Sequence, residues 1–238
     1  MKNKSAKKIL NNTKHIYNDI ASDFDITRGK WWHILDKFKL GAKEGDNILD
    51  LGCGNGRLAQ LFADCEISYL GIDVSEELIK IAKKKFAVKN NIRFEVGDIL
   101  NLQLQKNNFD LVYVLAVLHH IPSEALRLKA LEDINKAMKK NATLFISNWN
   151  IFGSAKYRKF LFNFAYKASQ GVFNIKDAFV PWKKGSSHLR YIHNFTKNEM
   201  RNLLQKTGFD VKELYYENKG EKSNFYKGFN LVAVAKKK

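Results

Sequence analysis

Seven residues, Asp50-Leu51-Gly52-Cys53-Gly54-Asn55-Gly56, set a carboxylate beside three glycines at alternate positions. Glycine lets the backbone approach a ligand closely, and a helix opening there offers unpaired N–H groups. Two further acids follow, Asp73 and Asp98. A carboxylate at the end of a second strand can accept two hydrogen bonds from a ribose diol. Three acids on successive strand ends suit a ligand with an amine, a ribose and an adenine. Asp50, placed at the loop itself, would repel a pyrophosphate. The glycines alone are a weak signal, because Gly54-Asn55-Gly56-Arg57-Leu58-Ala59 also fits the GxGxxA pattern of dinucleotide enzymes. A second group of residues could handle an anion. Arg28 and Arg190 carry planar forks that match a carboxylate, and His119 and His193 could act as neutral donors beside them.

These residues need a frame, and the hydrophobic pattern supplies one. Short apolar runs at 47–51, 68–72, 92–96, 109–115 and 143–147 read as strands. Helical patterns at 58–64, 75–88 and 123–139 lie between them. The run Phe109-Asp110-Leu111-Val112-Tyr113-Val114-Leu115 is nearly all apolar, as expected of a central strand buried on both faces. This alternation predicts an α/β fold with a Rossmann-like parallel sheet and helices on both faces. Asp50, Asp73 and Asp98 then fall at strand ends, and Ala116-Val117-Leu118-His119-His120-Ile121-Pro122 follows the fourth strand, where open sheets place their ligands. The rhythm stops at 150–195 and resumes with a helix at 196–206. Strands at 209–217 and 229–235 are joined by a short polar link, which makes them antiparallel. An amphipathic helix over 7–24 and a short helix through Trp31, Trp32, Leu35 and Phe38 precede the sheet. The chain reads as one domain: an N-terminal helical cap (1–44), a cofactor-binding core (45–149), a substrate-binding insertion (150–195) and a C-terminal helix with antiparallel strands (196–238).

Composition narrows the class. The chain has 238 residues, 45% of them hydrophobic, so it can bury a proper core. No apolar run reaches about 18 residues, so no membrane-spanning helix is expected. Cys53 and Cys65 are too few for a disulfide scaffold, no metal site is expected, and the lysine-rich start lacks an apolar core. An intracellular, cytoplasmic protein is expected. The formal net charge of +17 attracts polyanions.

The segment DLGCGNG resembles the first motif of class I S-adenosylmethionine-dependent methyltransferases. The resemblance implies S-adenosylmethionine as cofactor, with Asp50 and the Gly52, Gly54 and Gly56 loop close to its methionine part. It implies Asp73 on the ribose hydroxyls, Asp98 with the Ile99 backbone on the adenine, and Leu115 lining the cofactor. It further implies a seven-stranded, mostly parallel sheet with the last strand antiparallel.

Two other segments are more specific. Tyr17 to Trp32, containing Ile20-Ala21, Phe24, Thr27-Arg28, Lys30 and Trp31, and Arg190-Tyr191-Ile192-His193-Asn194-Phe195 resemble the tRNA wobble-uridine carboxymethyl methyltransferases, including the methyltransferase half of the AlkB-homologue tRNA enzyme. Gly29, Trp32 and Asn194 depart from that pattern. The resemblance implies a modified wobble uridine of tRNA as substrate and a small zinc-containing activator protein as partner. On this reading Arg28, His119, Arg190 and His193 serve the reaction. The insertion carries eight basic residues, one acid and eleven aromatics between 151 and 195. Lysines grip phosphates and aromatic faces stack unpaired bases. Lys30, Lys156, Arg158, Lys159, Trp182, Lys183, Lys184 and Tyr191 are therefore expected to contact RNA. Two alternatives stay open: a methyltransferase for a small metabolite, with the insertion as an aromatic lid, and a non-catalytic RNA-binding module.

Overall fold

The computed structural model describes residues 3–28, 41–172, 174–183 and 186–238. Lys30, Lys184 and the helix expected through Trp31 and Phe38 lie outside the described residues. Five strands run parallel: β1 (Asn47–Leu51), β2 (Ser68–Asp73), β3 (Ile92–Val96), β4 (Phe109–Leu115) and β5 (Met138–Trp149). A separate antiparallel hairpin follows, β6 (Asp177–Pro181) with β7 (Leu189–His193). The chain then returns to the main sheet as β8 (Phe209–Asn218), β9 (Glu221–Ser223) and β10 (Asn230–Lys237). The main sheet has the order β3-β2-β1-β4-β5-β10-β8-β9, with β10 antiparallel to both neighbours.

Helices cover both faces: α1 (Asn3–Asp19), α2 (Ala21–Thr27), α3 (Glu76–Lys85), α4 (Glu124–Ala137), α5 (Ala155–Arg158), α6 (Phe164–Ser169) and α7 (Lys197–Lys206). Strand alternation sends Leu49, Leu51, Val112, Val114, Leu144 and Ile146 into the core under α4 and α7. The opposite face carries Ile48, Tyr69, Leu111, Tyr113 and Phe145 against Leu58, Phe62, Ile79 and Ala82. Three helices start on hydroxyl caps: Ser75 accepts from the Leu78 amide, Ser123 from Leu126 and Thr196 from Glu199. Such a cap contributes about 1 kcal/mol. Glu76 and Glu77 at one end of α3 and Lys83 to Lys85 at the other also suit its dipole.

Several expectations are corrected. The sheet has eight strands, not seven. The extra strand β9 forms inside the polar link, because Lys219 and Gly220 both adopt positive φ (53° and 89°) and turn the chain tightly back on β8. Residues 58–64 form a 3-10 helix, Leu58–Phe62, without a side-chain cap. β5 is twelve residues long and follows α4 directly. The N-terminal helix breaks at Ile20 into α1 and α2. No helix among the described residues is long and apolar enough to cross a membrane.

Candidate functional site

The strand order reverses between β1 and β4, and the crevice at the carboxyl ends of an open sheet is where such folds bind ligands. A cavity of about 610 Å³ opens there. It is lined by the ends of β1, β2, β4 and β5, by the segment after β3, and by Leu10, Thr13 and Tyr17 of α1 and Phe24 and Thr27 of α2. All eight residues expected at the cofactor line it except Gly56, which instead faces the rings of Phe86 and Phe94.

At the cavity's core side, Gly52 adopts φ +74°, and a Cβ there would come within 2.1 Å of Val117. Asp50 is 2% exposed and accepts from the Tyr69 hydroxyl at 2.5 Å. Burial pushes its pKa up to about 7, against the Tyr69 bond and helped by the neighbouring Asp73 charge. Asp73 accepts the Gly54 amide at 2.9 Å and the Ser75 amide at 2.8 Å, one on each oxygen. Burial raises its pKa, and those two amides hold it down in part. Its carboxylate is thereby fixed in orientation, with lone pairs left for a diol. Asp98 accepts the Leu100 amide at 2.9 Å, and Asp98 and Ile99 line the cavity wall. A buried carboxyl that ionises near neutral pH, a fixed carboxylate and a loop with no room for a side chain at Gly52 form a set that fits a cationic nucleoside such as S-adenosylmethionine.

The other end of the cavity is aromatic and basic. Arg190 is 2% exposed, and its guanidinium lies between the rings of Trp149 (4.8 Å) and Trp182 (4.9 Å). Its Nε is buried without a partner, and Nη2 reaches the Pro181 carbonyl at 3.4 Å. Arg28 lies against Trp182 (5.1 Å) and Phe24 (5.6 Å). Burial lowers the Arg28 pKa, and Arg190 lowers it further. Two guanidinium groups thus share the Trp182 ring, and Asp23, bonded to that indole, offsets part of their repulsion at Arg28. Trp182 also stacks on Phe24 and donates to Asp23, and Lys183 pairs with Asp23 at 2.6 Å.

The two adjacent histidines differ. His120 Nδ1 faces the Tyr191 carbonyl at 2.7 Å and must donate, so Nε2 accepts from the Tyr17 hydroxyl at 2.9 Å. His119 Nδ1 accepts the Trp149 amide at 3.2 Å, so the neutral ring carries its hydrogen on Nε2, which is buried without a partner. Burial, then the charges of His120 and Arg190, hold His119 well below its usual range, and burial brings His120 to about 4. His119 is thus a neutral N–H donor at the cavity, and His120 is a tie between α1 and β7.

Two expected residues sit elsewhere. His193 is 1% exposed and outside the cavity lining, with Nδ1 on Asp177 (2.6 Å) and Nε2 on Glu199 (2.7 Å). Tyr191 is equally buried and donates to Asp177 at 2.8 Å, so it presents no face to an RNA base. The reason is strand periodicity: Arg190 and His193 are three residues apart on β7 and point to opposite faces. Arg158 is turned inward onto the Phe152 carbonyl. Lys156, Lys159 and Lys183 are exposed beside Tyr157, Phe160 and Trp182.

Sequence reasoning missed Trp149, Tyr157, Tyr17 and Arg57 as cavity residues. Trp149 ends β5, stacks on Tyr157 and flanks Arg190; carrying the fifth strand two residues past Ser147 would have placed it at a strand tip. Burial, then Arg28, brings Arg57 down to about 10.

A methyltransferase domain model matches residues 42–208. The chain is 25% identical over 223 residues to the tRNA (carboxymethyluridine(34)-5-O)-methyltransferase of Schizosaccharomyces pombe, covering 85% of this chain and 90% of that protein. It is 28% identical over 180 residues to the protein of the same name from Saccharomyces cerevisiae, covering 76% of this chain and 59% of the relative. The Arabidopsis thaliana protein of that name is 34% identical over 134 residues, 56% of this chain and 31% of the relative. The chain therefore spans less than two thirds of the budding yeast and Arabidopsis proteins. Among solved structures, a SAM-dependent methyltransferase from Methanosarcina mazei has a TM-score of 0.68 at 21% identity, covering 82% of this chain and 94% of that one. A chain from the complex of the Haloferax volcanii Trm112 methyltransferase activator with a methyltransferase has a TM-score of 0.67 at 16% identity, covering 94% and 96%. The switch-point cavity, its cationic-nucleoside donor set and the domain match agree, and the chain belongs to the methyltransferase domain family as an S-adenosylmethionine-dependent enzyme.

Proposed function

We propose that this enzyme methylates a carboxylate oxygen, that of a carboxymethyl group on the wobble uridine of a tRNA. The observation that carries the reading is Arg190, a cavity-lining guanidinium held against Trp149 and Trp182 with no ion-pair partner among the described residues, and Arg28 on the same indole. A guanidinium held that way can grip one carboxylate oxygen and leave the other free to attack. A carboxylate is ionised at neutral pH, so the site needs no strong base, and the neutral His119 fits that requirement as a donor.

S-adenosylmethionine, when bound, supplies the methyl group, which forms a bond to the carboxylate oxygen as the carbon–sulfur bond breaks and its electron pair stays on sulfur. The chain's own task is alignment and exclusion of water, and alignment can be worth about 7–11 kcal/mol. Asp73 would hold the ribose, Asp98 and Ile99 the adenine, and Asp50 with the Gly52 to Gly54 backbone the cationic end. The names of the relatives support the tRNA substrate. Exposed Lys156, Lys159 and Lys183, with exposed Phe162 and Phe164, support contact with an RNA loop. The Trm112 complex among the structural neighbours supports a small activator protein as partner. Such a tRNA enzyme would work in the cytoplasm.

A metabolite methyltransferase is the second reading, favoured by the apolar and aromatic side chains, Leu10, Tyr17 and Phe24, that α1 and α2 add to the cavity lining. Incubation with labelled cofactor and total tRNA, followed by nucleoside mass spectrometry, separates the two. One labelled uridine ester, cleaved by mild alkali, is expected. Label absent from tRNA but present on a small carboxylic acid overturns the tRNA reading.

A further inference from the structure

A second cavity, of about 550 Å³, shares no lining residue with the first. Ile121 lines one and Pro122 the other. The second cavity is bounded by the first turn of α4, by α7 from Asn198 to Lys206, and by Gly171, Asn174, Lys176 and Asp177. Arg127 of α4 lines it, is 4% exposed and lies over the Phe195 ring at 5.2 Å. Its Nε and Nη1 are buried without any hydrogen-bond partner, and among the described residues it forms no ion pair.

The carboxylates nearby are already engaged. Glu199 pairs with His193 and Lys176, Glu124 with Lys206 at 3.4 Å, and Asp177 accepts from Tyr191 and His193. Glu124, Asp177 and Glu199 line the cavity too, but none lies within ion-pair distance of Arg127, so an anion there would give the buried guanidinium the partner it lacks. Two helix N-termini converge on the same space, and Ser123 and Thr196 cap one amide of each. The remaining first-turn amides have no intrahelical partner, and each helix end carries partial positive charge.

We propose that this cavity binds an oxoanion of the phosphate class, anchored by the Arg127 guanidinium and by first-turn amides of α4 and α7. A backbone phosphate of a bound RNA and a free phosphate share that chemistry. The RNA source is sterically reasonable, because the neighbouring residues Ile121 and Pro122 line the first and second cavities respectively. A nucleotide presented to the first cavity would keep its chain near the second.

The test uses the full chain, with inorganic phosphate as the first probe in buffers matched for ionic strength with chloride. Calorimetry is run on the parent, Arg127→Met and Asn198→Asp. An acid in the first turn of α7 favours the helix, so Asn198→Asp keeps the fold while repelling an anion; it decides the matter if Arg127→Met does not fold. Phosphate is expected to bind the parent at millimolar concentration and both variants at least tenfold more weakly, with cofactor affinity unchanged. Absence of phosphate binding to the parent, or equal binding to both variants, overturns the proposal. The second probe is tRNA. If RNA supplies the phosphate, each variant weakens tRNA binding and lowers the salt slope by about one. Unchanged tRNA binding with lost phosphate binding assigns the site to a free phosphate. The phosphate arm uses no RNA, so it stands or falls separately from the tRNA reading.

Discussion

The two ends of the main cavity are built differently. The cofactor end is made of strand tips and backbone: Gly52 without room for a side chain, and Asp73 fixed by amides two and nineteen residues away. The far end is made of side chains from distant parts of the chain. Phe24 and Arg28 of the N-terminal cap meet Trp149 of β5 and Trp182 and Arg190 of the hairpin. On the proposed reading, local backbone holds the part of the reaction common to a large family, and long-range packing holds the part that selects a substrate. Substitutions should therefore separate cofactor affinity from transfer.

The largest separation is expected at the extremes. Asp73→Ala removes a carboxylate that two amides orient, and should weaken S-adenosylmethionine binding about a hundredfold, a loss near 2.7 kcal/mol, with tRNA binding kept. Calorimetry with the cofactor checks it. Arg190→Met should do the reverse, keeping cofactor affinity and lowering the transfer rate to tRNA by a hundredfold or more. A variant that methylates tRNA like the parent would move the substrate anchor away from β7.

The acid at the loop gives a smaller, pH-dependent effect. Asp50 ionises near pH 7 in the folded protein and near 4 when unfolded. Between those values the unfolded chain has released a proton that the native state keeps, so stability falls as pH rises from about 4 to 7, by at most about 1.4 kcal/mol per pH unit. Asp50→Asn should flatten that slope in denaturant titrations. A cation favours the ionised form, so cofactor affinity should rise as pH passes through about 7, and less so for the uncharged-sulfur product analogue. The smallest effect is expected at Tyr191→Phe. It removes one buried hydrogen bond to Asp177, should cost about 1–2 kcal/mol of stability, and should leave tRNA affinity unchanged.

The cofactor end was legible because its signals are local. A glycine loop after a strand, and acids at the ends of the next two strands, follow directly from the hydrophobic rhythm. The far end was legible only in its charges. Arg28 and Arg190 stood out as carboxylate partners, but the rings that clamp them did not. His193 illustrates the limit: its type and neighbourhood fit the site, yet its odd spacing from Arg190 on a strand puts it on the other face, against Asp177 and Glu199. The eighth strand was hidden in a polar link, because two positive-φ residues decide it rather than any apolar run.

From the sequence alone came the parallel sheet and the antiparallel return, which rest on period and spacing over a few residues, and, through the resemblance of DLGCGNG to a known motif, the family and the cofactor. Tertiary structure alone decided which arginine is clamped, which histidine is free to donate and which cation, Arg127, is buried without a partner. Those properties depend on side chains brought together from as far apart as Asp23 and Trp182, and no local pattern encodes such a meeting.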